Sequence, residues 1–318
     1  MKNTPLIKIG ISSCLLGNNV RWNGGHAHDR FITETLGQYM TFVPVCPEVE
    51  CGLGVPRETL RLVGDHEDPR LRTTKTGIDH TDKMVTWARD RVEKLADEGL
   101  CGFIFKSRSP SSGMMRVKVY SEAGQPQNKG VGIFARIFMD RFPQVPVEEE
   151  GRLNDPKLRE NFIEQIFTLR RWRNALSRGK SVGNLMEFHT RNKLLILSHN
   201  QKLYRQMGPL VAGAKGPDID TVFRRYEQML IAALRLQTTP AKNTNVMMHC
   251  LGYFKKQLST DEKQELLEQI QAYRDGQIPL IVPVTLLRHY VRKYDQPYLK
   301  SQTYLNPHPM ALKLRNHA

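Results

Sequence analysis

Apolar positions in the first half of the chain fall into short runs separated by helical stripes. Leu6-Ile7-Lys8-Ile9-Gly10-Ile11 closes on Ser12 and Ser13, and Thr41-Phe42-Val43-Pro44-Val45 closes on Cys46-Pro47. Runs of this length, bounded by small or turn residues, predict buried strands. Between Asp82 and Ala96, Val85, Ala88, Val92 and Leu95 recur at helical spacing and predict an amphipathic helix. Gly102-Phe103-Ile104-Phe105 reads as another buried strand, Val117-Lys118-Val119-Tyr120 alternates as a half-exposed one, and Gly130 to Asp140 reads as a helix. This β–α order predicts a mostly parallel, Rossmann-like sheet with flanking helices, and a site in the loops at the carboxyl ends of its strands.

From about Asn154 the pattern becomes helical throughout. Arg159 to Ser177, Leu185 to Leu197, Asp220 to Gln237, Asn243 to Leu258 and Asp261 to Asp275 are long segments of helical periodicity. Ser259-Thr260-Asp261-Glu262 carries the signature of a helix N-cap with acidic first-turn residues. Pro279 and Pro283 interrupt an apolar stretch before Leu286-Leu287-Arg288-His289-Tyr290. The pattern breaks between Pro143 and Asn154, where two prolines, three successive glutamates and Gly151 occur. An α/β domain over residues 1–148 and an all-α domain over residues 149–318 are expected.

Charge adds a functional dimension to this division. The chain carries a net charge of +15, with 47 basic and 32 acidic residues. Residues 1–150 hold 20 basic and 19 acidic residues, which leaves 27 and 13 for the remainder. A basic helical domain attracts polyanions and releases their counterions, so a nucleic-acid partner is favoured over a merely solvated surface. Trp172 between Arg171 and Arg173, and Tyr253-Phe254 before Lys255-Lys256, fit either base stacking or helical core packing. No apolar run approaches the roughly 20 residues of a membrane span, and the start of the chain lacks a signal-peptide core. Five cysteines, an odd number, suit a reducing compartment, so a cytoplasmic location without membrane association is expected.

Three strand-end loops collect the reactive residues: Ser12 to Gly17, Val45 to Gly52, and Lys106 to Gly113. Cys14 and Cys46 are too far apart in sequence for a local zinc knuckle, so any ligation is tertiary, and soft thiolates suit a cluster or soft metal. Cys250, in a helical stripe, and Cys101, opening a strand, read as packing residues. Cys51 fits either role. Glu48 follows a Cys-Pro step and reads either as a base that activates water beside a metal or as a loop carboxylate. Ser109 reads as a hydrogen-bond donor to substrate or as a turn serine bonding its own backbone. The residues by themselves predict a cysteine-bearing pocket.

The same loops resemble the thiouracil desulfidase family. The matching stretches are Ser13-Cys14-Leu15-Leu16-Gly17 with Val20-Arg21 and Gly24-Gly25, then Val45-Cys46-Pro47-Glu48, then Lys106 to Gly113, within a resemblance that covers about residues 6–148. The remainder, including Phe188 to Lys193 and Gly252 to Lys256, looks like the helical domain fused behind it in the type that acts on 4-thiouridine in tRNA. The resemblance implies a 4Fe–4S cluster held by three residues, with Cys14 and Cys46 as ligands, Glu48 as general base and Ser109 as assisting hydroxyl. It also implies release of sulfide without net redox change, and thiolated tRNA as partner. At the third ligand position the family has cysteine, whereas this chain has Ser112 in Ser109-Pro110-Ser111-Ser112-Gly113. A natural variant, an engineered exchange, or replacement of the ligand by Cys51 or Cys101 are the open explanations. Free thiouracil or thiouridine as substrate with a dimerising helical domain, and a non-catalytic RNA-binding protein, are the alternative readings.

Overall fold

The computed structural model describes residues 6–214 and 218–316, and the chain divides into two compact units between Asn154 and Asp155. In the first, β1 (Ile7–Ser12), β2 (Met40–Val45), β5 (Phe103–Phe105) and β8 (Val147–Glu149) form an all-parallel sheet in the order β2-β1-β5-β8. Ile7, Ile9 and Ile11 of β1 are buried, as expected for a central strand covered on both faces. Gly10 lies where no larger residue fits: a Cβ there would stand 2.2 Å from Cδ2 of Phe103. Helices α2 (Thr81–Ala96) and α3 (Ile133–Arg141) pack Ala88, Val92, Phe134 and Phe138 against Phe103 and Phe105 in one core.

A second sheet stands apart from the first. β3 (Leu60–Val63), β4 (Arg70–Thr73), β6 (Val117–Tyr120) and β7 (Pro126–Gly130) are ordered β4-β3-β6-β7. The central pair is parallel and both outer pairs are antiparallel. Val117 to Tyr120 is thus a strand, but not a member of the parallel sheet that strand order alone predicts. Its alternation is the physical reason: one wet face has no place in a sheet covered on both sides, whereas a mixed sheet with one open face accommodates it. Leu62, Leu71, Val117 and Val119 turn inward onto Met84 and Ile133.

The second unit is all-α. Its helices are α4 (Pro156–Ser177), α5 (Val182–His199), α6 (Gln201–Ala212), α7 (Ile219–Leu234), α8 (Pro240–Gly252), α9 (Thr260–Arg274), α10 (Ile281–Lys293) and the short α11 (Pro297–Lys300). Ser259 and Glu262 form a reciprocal capping box at the start of α9. Helix α10 begins before Pro283, which is tolerated in a first turn where its missing N–H has no partner to lose. Trp172 is a core residue, 1% exposed and stacked on Phe223 and Tyr226, with Nε1 donating to Glu227 Oε1 at 2.8 Å. Phe254 is likewise buried, and only Tyr253 of that pair is exposed, lying against Tyr298. Neither Trp172 nor Phe254 is therefore available to stack on a base. No helix among the described residues is long and apolar enough to cross a membrane.

A buried ionic cluster ties the end of the chain to α4. Arg315 donates from Nη2 to Glu164 Oε1 at 2.6 Å, from its backbone N–H to Glu160 Oε2 at 2.9 Å, and from Nη1 to the Tyr304 carbonyl at 2.6 Å. His199 Nε2 lies 3.2 Å from Glu164 Oε2. Arg315 beside Glu164 holds that carboxyl well below the usual range against the cost of its burial, whereas burial and the neighbouring Glu164 push Glu160 up. Removing one member of a buried ion pair strands its partner, at a cost of about 3–5 kcal/mol. Glu164→Ala is therefore expected to destabilise the helical unit by about that amount in chemical denaturation, and a loss below about 1 kcal/mol would deny the cluster a structural role.

Candidate active site

Strand register brings the three sequence-predicted loops together. Ser12 at the end of β1 lies opposite Val45 of β2, and Ile11 lies opposite Ile104 of β5. The chain leaves all three strands at the same end of the sheet, the position where open parallel sheets bind ligands. After β1, Ser13–Leu16 makes a tight turn. After β2, Cys46 caps the short helix α1 (Pro47–Glu50), and Lys106 to Gly113 follows β5. Together they enclose a cavity of about 380 Å³. Cys14, Cys46, Glu48, Ser109 and Ser112 all line it, and so do Arg21, Arg57, Lys106 and Ser111.

The remaining cysteines are elsewhere. Cys51 is buried among Leu62, Leu71 and Met84, with Sγ 3.4 Å from the Glu48 carbonyl. Cys101 is fully buried, with Sγ 3.9 Å from the Gly99 carbonyl. Cys250 sits in the core of the helical unit. None of the three lines the cavity. Within it, burial pushes the Cys14 thiol up to about 11, opposed by Lys106 and Arg21 and reinforced by Cys46. Burial also raises Cys46, opposed by a backbone hydrogen bond from Val49.

Glu48 is fixed from both sides. Its Oε1 accepts from Ser111 Oγ at 2.9 Å, and its Oε2 pairs with Arg57 Nη2. Arg57 is anchored in turn: both its Nη atoms donate to the Val20 carbonyl at 3.1 Å, and Nη1 donates to the Gly54 carbonyl at 3.0 Å. Ser109 Oγ accepts from the Ser112 and Ser111 N–H groups at 3.1 and 3.3 Å and lies 3.0 Å from Ser111 Oγ. Ser111 has a single hydroxyl proton, directed at Glu48, so Ser109 is the donor between the two hydroxyls. Ser109 is thus both the turn serine and the first member of a chain that runs Ser109, Ser111, Glu48, Arg57. Residue patterns single out neither Ser111 nor Arg57. Ser111 is one of several serines in its loop, and Arg57 follows a Val-Pro step with no motif of its own.

The third loop is held by two groups of backbone and carboxylate contacts. Glu150 accepts from Ser107 N and Oγ at 2.7 Å each and pairs with Lys106, and Glu149 Oε1 accepts from Met114 N at 3.0 Å. The successive glutamates that read as a domain break therefore end an edge strand and clamp the site. On the other side, N–H groups at the start of α3 donate to the loop carbonyls. Gly132 donates to Gly113 at 2.7 Å, and Ile133 and Ala135 donate to Pro110 and Ser111 at 3.2 Å. A Cβ on Gly132 would stand 2.5 Å from the Ser111 carbonyl carbon, so only glycine lets the helix approach the loop this closely.

An iron–sulfur cluster is ordinarily held by cysteine thiolates. This cavity supplies two thiols, from Cys14 and Cys46, and the buried hydroxyl of Ser112. Among the described residues, no group of three or more His, Cys, Asp or Glu side chains is arranged for a metal ion. Two of the three donors suit a cluster, and the third is a harder, more basic ligand than thiolate.

Fold and site define an α/β unit whose parallel sheet presents a thiol- and carboxylate-lined cavity, followed by a helical unit. Residues 9–150 match the family described as 2-thiouracil desulfurase, and residues 193–309 match one described as protein of unknown function (DUF1722). The uncharacterized protein YbgA of Escherichia coli (strain K12) is 32% identical over 165 residues, covering 52% of this chain and 98% of YbgA. The uncharacterized protein YbbK of Bacillus subtilis (strain 168) is 30% identical over 150 residues, covering 46% of this chain and 97% of YbbK. A solved structure of the [4Fe-4S]-dependent thiouracil desulfidase TudS is similar at 26% identity and a TM-score of 0.39, covering 48% of this chain and 97% of that one. The chain belongs to the 2-thiouracil desulfurase family through its first half and carries a DUF1722 region in its second.

Because the third donor is a hydroxyl, Ser112→Cys is expected to raise iron and acid-labile sulfide after anaerobic reconstitution well above the parental chain. Cys14→Ala or Cys46→Ala in that background should abolish both. Equal iron content in parent and Ser112→Cys would show that the hydroxyl is no weak point, and unchanged content in the two alanine variants would remove their ligand assignment.

Proposed function

We propose that this protein hydrolyses the thiocarbonyl of thiolated uracil, replacing sulfur with oxygen and releasing sulfide, with 4-thiouridine in tRNA as substrate. The observation that carries the reading is Glu48, held by Ser111 and Arg57 in a cavity it shares with Cys14 and Cys46. The family match to 2-thiouracil desulfurase supports the reaction class. The basic helical half, with 27 basic and 13 acidic residues beyond residue 150, supports a polyanionic substrate.

The reaction balances without an oxidant or reductant. Water adds to the thiocarbonyl carbon, the C–S bond breaks, and sulfur leaves as hydrogen sulfide. Glu48 takes the proton of the attacking water, its carboxylate oriented on one oxygen by Ser111 and on the other by Arg57. Ser109, hydrogen-bonded to Ser111, keeps that hydroxyl turned toward Glu48. Arg21 places positive charge at the cavity wall, where negative charge develops on the departing sulfur. When bound, a 4Fe–4S cluster held by Cys14, Cys46 and the Ser112 position would supply Lewis-acid polarisation of the C–S bond. The hydroxyl at Ser112 favours a second reading, in which this chain binds RNA without turning it over.

In a Ser112→Cys background, Glu48→Gln is expected to retain iron but to cut sulfide release from thiolated tRNA by about 100-fold or more. Ser111→Ala should reduce turnover less and leave iron unchanged. Near-parental turnover by Glu48→Gln would remove it from the mechanism. RNA binding with no sulfide release in either background would leave the binding reading in place of the enzymatic one.

A further inference from the structure

The second sheet of the first unit carries a basic face that no part of the reaction uses. Leu62, Val117 and Val119 point inward, so alternation turns Arg61 of β3 and Lys118 and Tyr120 of β6 outward. With Arg108 and Arg116 from the adjoining loops, they line a groove of about 710 Å³. No acidic residue lines it. Several other cations of this unit are neutralised: Arg70 and Arg72 by Asp79, Arg91 by Glu50, Arg141 by Glu93. Among the described residues, Arg61, Arg108, Arg116 and Lys118 enter no such ion pair. Four cations without an ion pair thereby share one surface of a near-neutral unit.

Two details suit a nucleic-acid strand better than an isolated anion. The Arg61 guanidinium lies 5.5 Å from the centroid of the Tyr120 ring, and its Nε is buried without a hydrogen-bond partner. An aromatic ring and an arginine plane on an open sheet face are what unstacked bases rest on, while neighbouring cations follow the phosphates. The groove is also continuous with the active-site cavity, sharing Leu60, Pro110 and Arg108 with it. A base within a polynucleotide enters such a cavity only by leaving its stack, which obliges the flanking nucleotides to lie at the cavity mouth. We propose that this groove binds the single-stranded RNA segment flanking the target base, phosphates on Arg108, Arg116 and Lys118 and a base on Tyr120 and Arg61. The proposal rests on the reading that the cavity takes a thiolated uracil, and it adds a binding surface outside the basic helical unit.

The test uses the full chain and reads binding without turnover, so failure of the desulfidase reading leaves it intact. An oligouridylate carrying one 5-iodouridine is photo-crosslinked to the protein, and a fluorescein-labelled oligouridylate is titrated over a salt series. Crosslinks are expected on the peptide containing Tyr120. Arg116→Glu combined with Lys118→Glu, both exposed positions that leave the core intact, should weaken binding about tenfold. The same variant should flatten the salt slope by about 0.7 for each phosphate no longer neutralised. Tyr120→Ala should weaken binding by roughly tenfold with the salt slope unchanged, as removal of a stacking ring requires. Crosslinks confined to residues beyond 154, or parental affinity and slope in the double variant, would overturn the proposal. Competition by polyglutamate equal to that by oligouridylate would do the same, marking the groove as a site for acidic proteins. Groove-dependent RNA binding with no sulfide release from thiolated tRNA or free thiouracil by Ser112→Cys would instead remove the enzymatic reading and keep the groove.

Discussion

The parallel pairing of β1 with β2 on one side and β5 on the other is the constraint from which the site follows. Three strands that run the same way deliver their carboxyl ends to one edge, and register sets Ser12 beside Val45 and Ile11 beside Ile104. Cys14 and Cys46, in the first two loops, therefore meet at one cavity without any local motif. The arrangement depends on Gly10, because the Phe103 ring occupies the volume its Cβ would need. Phe103 is also part of the aromatic core that seats α3, and the first turn of α3 holds the third loop through the N–H groups it would otherwise leave unpaired. Core packing and site geometry are thus one set of interactions.

This coupling explains which features can be read from residue patterns. The strands of the parallel sheet are continuous apolar runs because both faces are covered, and such runs stand out against turn residues. Cys14, Cys46, Glu48, Ser109 and Ser112 end up around one cavity because each lies just beyond, or a few residues beyond, such a run. β3, β4 and β7 are less visible. Leu60-Arg61-Leu62-Val63 and Arg70-Leu71-Arg72-Thr73 carry arginines on a solvent face, and Pro126 to Gly130 is almost wholly exposed. Helix α6 is hard to see as well, since Gly208 and Pro209 within it are usually signs of a break.

The supporting residues of the site are hidden for a different reason. Ser111, Glu149 and Glu150 act through partners separated from them by long stretches of chain, and nothing in their own neighbourhoods, or in that of Arg57, marks them. Glu150 reaches back 43 residues to Ser107, and Ser111 reaches 63 residues to Glu48. The run of three glutamates reads as a break between domains because clustered carboxylates usually repel and face water. Here each takes a separate partner: Glu148 pairs with Arg152, Glu149 accepts from Met114, and Glu150 pairs with Lys106. Partnering offsets part of the repulsion that the linear pattern implies, while burial, Glu150 and Glu148 still push Glu149 up.

The same distinction governs charge. Over residues 1–150 basic and acidic side chains nearly balance, which argues against a polyanion surface if charge is summed. Sums discard location, however, and a carboxylate engaged by one arginine does not cancel the field of another arginine beyond a Debye length of about 8 Å at physiological salt. Several acidic residues of this unit are spent on particular partners, such as Asp79 on Arg70 and Arg72 and Glu48 on Arg57. Among the cations they leave unpaired, Arg61, Arg108, Arg116 and Lys118 lie together on the open face of the second sheet, and Arg21 lies at the cavity. A nearly neutral domain can therefore present a positive surface beside its cavity, which the sum of its charges conceals.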